Sequence, residues 1–122
     1  MIHLKRLDVL KRKLNYQHWD SIDQPAPEPL AVIKVNRVVV FEGLLAEETY
    51  ALDLDVRTEP FPCVDLTQGL HITIFDQDQT QTKEPIGELT HRLKAPPSAP
   101  SRINLSGGAV RQLIFEVVLL PQ

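Results

Sequence analysis

The chain has little of several things that would narrow its chemistry. It carries one cysteine, Cys63, one tryptophan and five glycines in 122 residues. A lone cysteine excludes an internal disulfide and a Cys-x-x-Cys redox pair, and it suits a reducing compartment. No glycine-rich phosphate loop and no Gly-x-Ser-x-Gly elbow is written anywhere. The four histidines, His3, His18, His71 and His91, lack a metal-ligand spacing such as His-x-x-x-His, and His71 and His91 fit ordinary strand positions. Long apolar runs are missing too. Nothing approaches the roughly 20 apolar residues that span a bilayer, and charges break up Met1 to Leu14 too often for a secretion signal. A formal net charge of −3 gives no whole-chain attraction for nucleic acid or an anionic membrane. These absences predict a non-catalytic, cytoplasmic protein with no nucleic-acid partner and no small-molecule substrate, and they leave peripheral contact with a membrane open.

What is present describes a folded chain. Hydrophobic residues make up 43% and charged residues 24%, enough for one domain with a real core. The charge is uneven. Residues 1–23 hold Lys5, Arg6, Lys11, Arg12 and Lys13 against Asp8, Asp20 and Asp23, so the remainder is more acidic than the whole. Leu4, Leu7, Leu10 and Leu14 recur at spacings that line one face of a helix, with basic residues on the flanks. The expectation is a short basic amphipathic helix over residues 1–23, whose Leu4, Leu7, Leu10, Leu14, Lys11 and Arg12 bind a protein partner or a second copy. Prolines at alternate positions in 24–29 then predict an extended linker.

From Leu30 the pattern turns to strands. Ala31 to Phe41 is a dense β-branched run, and Tyr50, Leu52, Leu54 and Val56 alternate with Asp53 and Asp55 across two faces. His71–Phe75, Gly87–Leu93 and Val110–Leu120 complete the predicted set. Turn signals stand at Gly43, Gln68-Gly69, Pro96–Pro100 and Ser106–Gly108. Short strands, frequent turns and almost no helix predict an all-β antiparallel sandwich over residues 30–122.

One stretch carries more than fold. In Ile74-Phe-Asp-Gln-Asp-Gln-Thr-Gln-Thr-Lys-Glu-Pro-Ile-Gly-Glu-Leu89 a strand ends, two aspartates alternate, a polar loop follows and Ile-Gly opens another strand. This resembles the third calcium-binding loop of the C2 domain family, written Asp-x-Asp, five residues, Asp, then x-Ile-Gly, with the longer Glu84 here in place of the last aspartate. Asp76, Asp78, Glu84 and Ile86-Gly87 stand at the matching positions. The family's first loop is similar to Glu42 through Glu48-Thr-Tyr-Ala51, with glutamates in place of aspartates. Its closing glycine turn and last strand resemble Arg102 to Val117.

The resemblance implies a calcium- and lipid-binding sandwich, with calcium as the candidate cofactor and Asp76, Asp78, Glu84, Glu42 and Glu48 as ligands. Calcium takes about 6 to 8 oxygens, best supplied by carboxylates from adaptable loops, and acids two apart in an extended segment point the same way. Leu44 and Leu45 would then meet the membrane once the metal neutralised their surroundings. Acids on the outer face of 50–56 argue against a phosphoinositide-binding concave face there, and the longer glutamates weaken the metal site. The first expectation is therefore a scaffold that binds another protein through its leading helix or an open strand edge. The second is a calcium-dependent phospholipid-binding module.

Overall fold

A computed structural model describes residues 1–10, 28–45, 50–77 and 83–119. Among the described residues eight strands form two antiparallel sheets: β1 (Ile2–Val9), β2 (Pro29–Val35), β3 (Val38–Leu44), β4 (Ala51–Arg57), β5 (Leu70–Gln77), β6 (Lys83–His91), β7 (Ser101–Gly107) and β8 (Val110–Val117). Sheet A runs β4-β1-β8-β7 and sheet B runs β3-β2-β5-β6. One short 3₁₀ turn, Cys63–Thr67, bridges β4 and β5 and buries Leu66. The predicted antiparallel sandwich is present. Tyr50 to Val56 alternates as expected, with Leu54 buried and Asp53 and Asp55 turned outward.

Over residues 2–9 the predicted N-terminal helix is a strand. Ile2–Val9 is a central strand, paired with β4 on one side and β8 on the other. The leucine spacing that suggests a helix has another cause. Leu4 opposes Phe115 and Leu7 opposes Leu113, so three residues of β1 span two of β8 across a register shift between Leu4 and Arg6. This bulge keeps Ile2, Leu4, Leu7 and Val9 on the inner face at steps of two, three and two. Leu4 and Leu7 are therefore core residues and offer nothing to a partner, while Leu10 packs against the core's margin. Nor is β1 a segment apart from the sandwich, since the N–H of Val118 donates to the Met1 carbonyl and Val9 N–H to that of Tyr50. Leu14, Lys11, Arg12 and residues 24–27 of the predicted linker lie outside the described residues.

The β-branched run from Ala31 to Phe41 is likewise two strands. Asn36 and Arg37 both have positive φ, 49° and 68°, in a two-residue turn closed by the Val35–Val38 pair. Such a turn matches the twist of the strands it joins, and asparagine tolerates the left-handed region better than most residues. Gly43 sits inside β3 opposite Ala31 and marks no turn.

The two sheets close on one another at a corner made by glycines. A Cβ on Gly87 of β6 would lie 2.5 Å from the Gly107 carbonyl oxygen, and one on Gly107 of β7 would lie 2.8 Å from that of Glu88. Glycine at both positions lets backbone approach backbone, and Ala109 N–H donates to the Ile86 carbonyl beside them. Between the sheets lies one continuous core, with Phe115, Ile2, Leu4, Leu7, Ile33, Ile72, Ile74 and Leu113 among its fully buried members.

Antiparallel pairing gives the sandwich two distinct ends. At the first, β1, β3, β5 and β7 finish and β2, β4, β6 and β8 begin, because Asp8 pairs with Ala51, Leu30 with Leu44, Pro29 with Asp76 and Val9 with Val110. At the other lie the Asn36-Arg37 turn, Gly69 and the end of β6, joined by Asn36 N–H donating to the Gly69 carbonyl.

Candidate functional site

Asp76 stands at the first end, near the close of β5. Its side chain shares the inner face with Ile72 and Ile74, since alternation along β5 is regular against β2, and it is 1% exposed. One carboxylate oxygen, Oδ1, accepts the Glu28 N–H at 3.0 Å, and the backbone of β6 places Glu84 opposite. A buried carboxylate requires such donors, because desolvating the charge is costly without them. Asp76 thus tethers the chain entering β2 to the end of β5.

Glu42 does not join it. Glu42 pairs with Val32, and Val32 with Thr73, so all three share the outer face of sheet B. Thr73 is three positions from Asp76 on a regular strand, which puts the two carboxylates on opposite faces and roughly 10 Å apart along it. The expected convergence of Glu42 with Asp76 fails for this reason, and among the described residues no group of three or more metal-ligating side chains comes together. Asp78, Glu48 and the side chain of Glu84 lie outside the described residues.

The two leucines proposed for membrane contact divide. Leu44, the last residue of β3, is 45% exposed. Leu45 packs against the core and continues the β2–β3 pairing, its N–H donating to the Pro29 carbonyl at 2.8 Å. Beyond Leu44, β3 carries two further exposed apolar side chains, Val38 and Val39, at 62% and 48%. As the outer strand of sheet B it has, among the described residues, a strand neighbour on one side only. The Glu59 N–H donates to the Val40 carbonyl of this strand at 2.9 Å.

The outer face of sheet A is a polar lattice. Arg6 grips Asp8 through two nitrogens at 2.9 and 3.2 Å and reaches Asp53 at 3.0 Å. Gln112 also donates to Asp8, and Asn104 to Gln112 at 3.3 Å. The buried ring of His3 meets Asp55 at 2.5 Å, and Arg57 donates to the same oxygen at 3.1 Å. The Arg6 guanidinium holds the Asp8 carboxyl below the ordinary carboxylate range, with Gln112 assisting. His3, then Arg57, do the same for Asp55. The acids of β4 are thus neutralised where they stand.

A groove that the sequence does not bring together lies at the second end of sheet B. Its volume is about 700 Å³, and Lys34, Arg37, His71, His91 and Arg92 line it from three strands and a turn. Cys63, the first residue of the 3₁₀ turn, is half-buried. Among the described residues no helix is long and apolar enough to cross a membrane.

No family model matches the chain, and no curated protein matches it. Solved structures do. A C2 domain of plant extended synaptotagmin 1 is similar over 94% of this chain and 88% of its own, with a TM-score of 0.57 at 15% identity. Human group IVD cytosolic phospholipase A2, solved with methyl gamma-linolenyl fluorophosphonate and terbium chloride, is similar over 94% of this chain, with a TM-score of 0.58 at 10% identity. This chain covers only 16% of that enzyme. The likeness supports a C2-like fold for the present sandwich.

Proposed function

We propose that this chain is a non-catalytic C2-like interaction module that recruits another protein along the open edge of β3. The observation that carries this reading is the β3 edge itself. An outer strand presents unpaired backbone donors and acceptors, and natural sheets blunt such edges with lysine, proline or a covering segment. Here the exposed side chains Val38, Val39 and Leu44 are apolar, which suits an added strand whose own side chains cover them. Leu4 and Leu7 lie in the core and Leu10 packs against it, which moves the partner surface from a leading helix to this strand.

The test is capture of the partner by the intact chain compared with Val38→Lys/Val39→Lys. Lysine on an edge strand opposes strand addition while leaving the folded sandwich intact. Loss of the partner with unchanged thermal unfolding supports the reading. Undiminished capture, or loss matched by Lys5→Gln on sheet A, sinks it.

A second reading is favoured by a specific observation. Asp76 is buried at the end of the sandwich from which the connections after β1, β3 and β5 depart, and a hard cation there would draw on oxygen ligands from those connections. Asp76, with Asp78, Glu84 and Glu48, would supply carboxylates, Glu42 would not, and Leu44 would face lipid. The terbium in the phospholipase structure lends this reading support. Thermal unfolding in excess chelator and then in calcium, with magnesium as control, decides it. Calcium at about 100 times its dissociation constant stabilises by roughly 2.7 kcal/mol. No shift at millimolar calcium retires the metal site and with it the lipid role.

A further inference from the structure

We propose that the connection between β6 and β7 is itself a ligand: Pro97-Ser-Ala-Pro100, with Arg102 behind it, docks into a partner protein whose groove combines aromatic rings with carboxylates. The connection runs from Arg92 to Pro100, longer than the common span of about 4 to 6 residues. Its strands already meet backbone to backbone at Gly87 and Gly107, so bridging them does not account for that length. Both ends are fixed. Leu93 packs against the core and its N–H donates to the Leu66 carbonyl at 3.1 Å, while Arg92 donates to the Gln68 carbonyl at 3.3 Å. Ser101 then opens β7 opposite Val117. Between these anchors every residue from Lys94 to Pro100 is exposed except the half-buried Pro97. No backbone–backbone hydrogen bond among the described residues holds that stretch. A rigid sandwich thus presents a proline segment to solvent.

The spacing of the prolines says what would read it. A polyproline II helix repeats every three residues, so prolines three apart stand on one ridge, with φ preset by their rings. Pro97 and Pro100 have that spacing, and an apolar residue, Pro96 or Ala99, precedes each. Aromatic-lined grooves bind such segments because little backbone freedom is left to lose. The chain bends at Ser98 and Ala99, where the Ser101 hydroxyl donates to the Ala99 carbonyl at 3.3 Å, so docking has to straighten only that exposed bend. Charge fixes the rest of the partner's chemistry. From Leu89 to Phe115 the sequence carries Arg92, Lys94, Arg102 and Arg111 and no acid, in a chain of net charge −3. Arg102 is exposed on β7 and, among the described residues, has no carboxylate partner, although Glu116 stands opposite it. Its extended backbone continues the proline segment, whereas the chain turns away at Lys94 and Ala95. A guanidinium also favours bidentate carboxylates, so Arg102 and not Lys94 sets the orientation. The segment leaves sheet B from β6, the edge opposite β3, and is therefore a surface separate from the β3 edge.

The test passes the full chain over an array of purified SH3 domains, which read Pro-x-x-Pro segments through aromatic-lined grooves, and titrates the domains that bind by calorimetry. Pro97→Ala/Pro100→Ala should weaken binding at least tenfold and Arg102→Gln about tenfold. Lys94→Gln and Val38→Lys/Val39→Lys should leave it unchanged. Binding by no domain of the array overturns the proposal, as does binding retained by the double proline variant. A loss for the β3 variant equal to that of the proline variant also overturns it, and a loss for Lys94→Gln equal to that of Arg102→Gln overturns the assigned orientation. Unchanged unfolding curves for the variants establish that lost binding is not lost fold.

Discussion

The outer face of sheet A and the basic end of sheet B are both rich in charge, yet they use it in opposite ways. On sheet A, Asp8, Asp53 and Asp55 each meet a cation already supplied by β1 or β4, and Gln112 and Asn104 extend the lattice to β8 and β7. On sheet B, Lys34, Arg37 and Arg92 gather around a groove with no acid in its lining. Charge neutralised inside the fold adds to stability and offers little to a ligand. Charge left uncompensated adds little to stability and keeps its attraction for something outside. The contrast gives each region a different response to mutation.

The largest effect belongs to the core that carries both faces. Leu4→Ala removes a fully buried side chain from β1 and should destabilise by about 2 to 5 kcal/mol, read from the denaturant midpoint. A helix displaying Leu4 to a partner would give a change near zero, so this variant tests the strand assignment as well. Next comes Gly87→Ala, which drives a methyl into the Gly107 carbonyl at the corner between the sheets and should cost about 1 to 3 kcal/mol. A neutral result would mean that the sheets part there without strain.

Smaller losses probe the lattice itself. Asp8 and Asp55 are held below their ordinary value of 3.8 by Arg6 and by His3 with Arg57. Because their folded values are lowered, the unfolded chain takes up protons first as pH drops, so stability is fully present above 3.8 and declines as pH falls through the folded values. Arg6→Gln should flatten that acid decline by freeing Asp8, with a loss at neutral pH below that of Gly87→Ala. A decline of unchanged steepness would show that the Arg6 pairing does not set it.

The smallest effect is the informative one for sheet B. Lys34→Gln/Arg37→Gln should move stability by no more than about 0.5 kcal/mol, read from the denaturant midpoint, since among the described residues neither cation has a carboxylate partner. Substantial destabilisation would turn the groove into a second structural lattice and erase the comparison.

Much of the sandwich was legible residue by residue. Tyr50, Leu52, Leu54 and Val56 announce β4 by strict alternation, and Gly107-Gly108 announces the β7–β8 turn, where Gly108 has φ of 55°. Two elements misled for local reasons. In β1 the bulge after Leu4 turns a step of two into a step of three, which imitates helical spacing. In β2 and β3 the turn residues Asn36 and Arg37 are hidden in a run of β-branched neighbours, with no glycine to mark them. Of the candidate metal ligands, Asp76 was found at a strand end as its motif implied, whereas Glu42 depended on which face of β3 it occupies. A shift of one residue reverses that face, and spacing along the chain does not report it.

By itself, the sequence determined that this chain builds an antiparallel sandwich with a single core, because period-two alternation and turn residues act locally and are read locally. Only the tertiary structure decided that Leu4 and Leu7 close that core, that Glu42 and Asp76 face apart, and that Lys34, Arg37, His71, His91 and Arg92 share one groove. These are relations of register between strands far apart in the chain, and register is set by how whole faces pack on one another.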